Sequence, residues 1–155
     1  MKNSLLYILV LCVFGCKTTI KKVKTEHPKM ETTEFEVIAK GHLYGSGEEG
    51  ISKQNLIVTN QNDWNTLITQ IDTVNKVSMG FTDTKIDFSK ELVVAIFDEV
   101  KASGGHRIEL EITQNSTHTL VEVAHIAPKG MAASVITQPY YIIKMTKNNL
   151  PILFK

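Results

Sequence analysis

From Leu92 to Phe97 every position is apolar, whereas from Arg107 to Ile112 apolar and polar residues alternate, with Ile108, Leu110 and Ile112 set against Arg107, Glu109 and Glu111. The first pattern predicts a deeply buried strand; the second, with its period of two, predicts a half-buried one. Ser103, Gly104 and Gly105 lie between them, where paired glycines suit a connection that needs positive φ or a close backbone approach. The expectation is a β–Gly-Gly–β hairpin at the centre of the domain.

Other segments follow by the same reasoning. Trp64, Leu67, Ile68, Ile71 and Val74 form one stripe of a helix, with Asn60 as N-cap and Asp63 near the positive end of its dipole. At that spacing Trp64 reads as core rather than as a ligand platform. Strands are expected at Phe35–Tyr44, Gln54–Thr59, Leu120–Ala124, Tyr140–Met145 and Ile152–Phe154. Gln114–Thr117 reads as a turn and Pro128–Pro139 as a long loop. No helical pattern separates Leu92 from Phe154, so hairpins should join most neighbouring strands. The fold predicted is α+β: a curled, mainly antiparallel sheet of about six or seven strands packed on one amphipathic helix.

The N-terminal segment has a different character. Met1-Lys2-Asn3 is a positive start, Leu5–Phe14 is apolar but too short to span a bilayer, and Val13-Phe14-Gly15-Cys16 follows. A small residue before Cys at the end of such a segment resembles the lipobox of bacterial lipoproteins. That resemblance implies a signal peptide over residues 1–15 and acylation of Cys16. Phe14 is bulkier than the residue usual at its position. The other cysteine, Cys12, would leave with the signal, so the mature chain would have neither a free thiol nor a disulfide. Loss of Lys2 would balance the charges, leaving the anchor to acyl chains, each buried methylene contributing about 0.8 kcal/mol. Residues 16–34, rich in Lys and Thr, read as a flexible tether, solvated rather than bound to headgroups. Residues 35–155 read as a single domain. No acidic residue directly follows Cys16, and resemblance to the usual sorting rules of such lipoproteins then implies a cell-envelope location at the outer membrane rather than the inner.

Composition narrows the classes of function. With 155 residues the chain can bury a core, and a formal charge of +1 argues against a nucleic-acid partner. The Gly45–Gly50 loop lacks the Lys-Ser/Thr ending of a phosphate loop and is acidic. His106, His118 and His125 sit where adjacent strands could gather them, but without the spacing of a metal motif. Ser46 and Ser103 lack the setting of a nucleophile elbow. No catalytic residue, metal or cofactor is therefore expected. The candidate protein-binding residues are Ser103, Gly104, Gly105 and His106 of the glycine turn, with Met131 and Val135 of the apolar loop that also carries Ala132, Ala133 and Ile136.

Several stretches in order resemble the C-terminal domain family of the protease complex subunit PrcB. They are Asp87-Phe88-Ser89, Leu92–Phe97, Ser103-Gly104-Gly105, Arg107–Ile112, Pro128 and Gln138-Pro139-Tyr140, preceded by the Trp64 helix. The position after the glycines is often aromatic in that family and is His106 here. The resemblance implies a non-catalytic, lipid-anchored subunit that helps a protease complex assemble. The alternatives are a protease inhibitor presenting its loops to a cleft or, less favoured, a small-ligand or metal-binding protein. The expected partners are a membrane, through the acyl chains, and a protein, a protease among the candidates.

Overall fold

The structure is a computed structural model that describes residues 29–155. The signal segment, Cys16 and the tether up to residue 28 lie outside the described residues. The described chain is α+β and mostly strand. Its elements are β1 (Glu31–Thr32), β2 (Glu36–Leu43), β3 (Gln54–Val58), α1 (Gln61–Ile71), a 3-10 turn (Val77–Gly80), β4 (Glu91–Phe97), β5 (Arg107–Gln114), β6 (Thr119–Ile126), β7 (Gln138–Thr146) and β8 (Ile152–Phe154). Glu31 and Thr32, read from sequence as tether, pair with Gln114 and Thr113 of β5.

The strands form two four-stranded sheets, β2-β7-β4-β3 and β1-β5-β6-β8, not the single sheet expected. We call them the inner and outer sheets. All pairings are antiparallel except that of β6 with β8. The inner sheet is covered on both faces. Val93, Ala95 and Phe97 of β4 join Ile142 of β7 and Trp64, Leu67 and Ile71 of α1 in one core. Leu92, Val94 and Ile96 join Ile143 of β7 and Ile108, Ile112 and Val121 of the outer sheet in a second. Two covered faces explain why β4 is apolar at successive positions, while β5, covered on one face, alternates.

The central hairpin is a correction. β4 pairs with β3 and β7, and β5 pairs with β1 and β6, so β4 and β5 belong to different sheets. Asp98–His106 carries the chain from the inner to the outer sheet. Among the later strands only β5 and β6 form a hairpin; the links β6–β7 and β7–β8 also change sheet.

Helix α1 starts as its sequence predicts: the Asp63 N–H donates to Asn60 Oδ1 at 3.0 Å. It ends at Ile71, before Val74 of the expected stripe, because the Asp72 carboxylate accepts from the Ser78 N–H at 2.9 Å and the Ser78 hydroxyl at 2.6 Å. Those bonds draw the chain into the 3-10 turn and leave Val74 exposed beyond the helical stripe. Trp64 is buried, and its Nε1–H donates to the Thr84 carbonyl at 3.2 Å. Among the described residues no helix is long and apolar enough to cross a membrane.

Candidate functional site

Three loops meet at one end of the sandwich, beyond Leu43 of β2, Phe97 of β4 and Ile126 of β6. They are held there by directional bonds. Gln138, at the start of β7, is buried, and its Nε2 donates to the Ile51 carbonyl at 2.7 Å and the Asp98 carbonyl at 2.8 Å. Lys101 and Thr137 exchange two backbone bonds of 2.7 and 3.0 Å. The Gly104 N–H donates to the Ala133 carbonyl at 3.0 Å. Glu49 is buried, and its Oε1 accepts the Gly45 N–H at 2.9 Å, closing the acidic glycine loop on itself.

The glycine turn and the apolar loop are thus in contact. A β-carbon on Gly104 would sit 3.1 Å from Val135 Cγ1, and one on Gly105 would sit 3.0 Å from Pro128 Cβ. Gly105 also has φ of +79°, in the region side chains avoid. The two glycines allow loop-to-loop packing across the change of sheet, instead of the tight hairpin they suggest in sequence. Of the predicted residues, Gly104 is buried in this contact, Ser103 and His106 are half-buried, and Gly105 and Val135 are exposed. Met131 projects fully into solvent, beside exposed Ala132, Ala133 and Ile136. Tyr44 and Val100, which the sequence does not single out, add exposed apolar surface to the same group of loops.

Beneath the loops lies a charged cluster not anticipated from the sequence. The Asp98 carboxylate is 2% exposed and has Lys53 Nζ at 3.2 Å, Lys101 Nζ at 3.3 Å and His125 Nδ1 at 3.2 Å. Burial pushes its carboxyl up, but the Glu99 N–H at 2.9 Å, with Lys53, His125 and Lys101, outweighs burial and holds it below the ordinary value. The cluster ties the end of β4 in the inner sheet to β6 in the outer one. Its one signal in the sequence is an acidic residue placed directly after an apolar strand.

The three histidines do not gather. His118 and His125 stand at opposite ends of β6, and His106 lies before β5. Among the described residues no three His, Cys, Asp or Glu side chains form a set able to hold a metal ion. Ser103 Oγ and His106 Nε2 share a hydrogen bond of 3.1 Å. Among the described residues' hydrogen bonds and ion pairs, no carboxylate meets the His106 ring to orient it as a base. Comparison with protein-family models, curated proteins and solved structures found no match to the chain.

Proposed function

We propose that the chain is a non-catalytic, lipid-anchored protein of the cell envelope whose domain binds another protein through the loop end of the sandwich. The observation that carries this reading is the exposed apolar group of Met131, Val135, Ile136, Val100 and Tyr44, presented by loops that backbone bonds and the Asp98 cluster hold in place. Exposed apolar side chains on fixed loops lose little conformational entropy on docking, and their burial favours association. The PrcB-like order of motifs makes a protease complex the partner to test first.

Chemical crosslinking and affinity purification from native membranes test the reading. A partner recovered with the wild-type chain and lost with a folded Met131→Asp/Val135→Asp variant supports it. An unchanged set of partners contradicts it. Deleting the chain then separates assembly, which predicts less active protease, from inhibition, which predicts more.

A further inference from the structure

β5 is longer than the strand beside it. β1 pairs with only Thr113 and Gln114, and the Thr33 N–H donates to the Ile112 carbonyl at 3.0 Å before the chain turns into β2. On its other side β5 lies against β6, with Arg107, Glu109 and Glu111 opposite Ile126, Ala124 and Glu122. Successive residues of an antiparallel strand turn their N–H and C=O groups to opposite sides. The bond at Ile112 therefore directs the N–H and C=O groups of Ile108 and Leu110 away from β6, to an edge that no described strand covers.

A cleft of 520 Å³ lies along this edge, lined by Ile108 and Leu110, by Lys40 and His42 of β2, and by Tyr141 of β7. Both its ends are defined. At one, His42 Nε2–H donates to the His106 carbonyl at 2.6 Å; at the other, Thr33 crosses to Ile112. The span between them fits an extended segment of about five residues, roughly 15 Å. Arg107 Nε and Glu109 Oε1 pair at 2.9 Å, so their charges offset each other. Lys40 makes no ion pair among the described residues and lies 5.4 Å over the Tyr141 ring. Among the described residues the cleft therefore holds a cation without an ion pair, beside two backbone donors and two backbone acceptors that no strand covers.

We infer that the open edge of β5 binds an extended acidic segment of a partner protein, which pairs as an added strand of the outer sheet. Residues opposite Ile108 and Leu110 turn their side chains into the cleft beside Tyr141, and a carboxylate of the segment meets Lys40. The site lies on the side of the sandwich and does not depend on docking at the loop end.

The test uses the full chain, labelled with nitrogen-15 and held in detergent micelles, and a synthetic heptapeptide of alternating valine and threonine in which one cleft-facing valine is replaced by glutamate. The expected result is slowed amide exchange at Ile108 and Leu110 on adding peptide, with the exposed helix residue Thr66 unaffected. N-methylating alternate residues of the peptide should weaken binding by about tenfold or more, because it removes the donors that face β5. Lys40→Glu, an exposed position, should weaken it by about fivefold without altering the fold. Undiminished binding of the N-methylated peptide, or no protection at Ile108 and Leu110, would overturn the inference. Protection present before peptide is added would assign the edge to the chain's own N-terminal segment. Protection rising with protein concentration alone would assign it to a second copy. Either result also overturns a partner segment.

Discussion

Asp98 shows how one residue joins the two sheets. Because folding lowers its pKa, its contribution is present in full above the ordinary carboxylate range and is lost as pH falls through the folded value. Asp98→Asn should destabilise the domain by about 2–3 kcal/mol at neutral pH, since charge-assisted bonds to Lys101, Lys53 and the Glu99 N–H are weakened together. That difference from wild type should shrink as pH falls below about 4, where the unfolded carboxyl protonates, and should be gone once pH is below the lowered native value. Urea titrations of both chains at several pH values measure it; a difference independent of pH would show that Asp98 acts through shape alone. Trp64 belongs to the core between α1 and the inner sheet, where Trp64→Ala should cost about 3–5 kcal/mol by leaving a cavity and the Thr84 carbonyl without its donor. The loss is expected as a lower denaturant midpoint.

At the scale of elements, much of the chain was legible and the connections were not. The helical stripe and Asn60 located α1, and alternation located β5 and β6. Those signals are local, because a side chain's burial is set by the face it occupies. Which strands pair is not local. Contacts that join paired strands, such as Gln138 bonding to Ile51 and Asp98, link residues far apart in sequence. The same limit affected the candidate site. Glycines and apolar loop residues marked their own segments, while the Asp98 cluster and exposed Tyr44 and Val100 gained meaning only once three loops met. Gly105 can test the reassigned turn. Gly105→Ala should cost about 1–3 kcal/mol, because it forces a side chain to positive φ and against Pro128. Thermal unfolding reads the cost; an unchanged or higher melting temperature would mean that the turn relaxes freely.

On the scale of the whole molecule, the buried inner sheet makes a stiff body. Helix and outer sheet cover its two faces, and the loop end and the β5 edge are the two surfaces for which we propose contacts. The anchor is a separate proposition, carried by Cys16 outside the described residues. Radiolabelled palmitate should enter the wild-type chain and not Cys16→Ser; equal incorporation would place the lipid elsewhere, and none would remove the anchor. Binding at the loop end is the central claim, and photocrosslinking in native membranes tests it most directly. A benzoylphenylalanine placed at position 131 should give a discrete adduct with one partner protein, while the same group at exposed position 66 on α1 should give none. Equal adducts from both positions, or none from position 131, would contradict a loop end that binds protein.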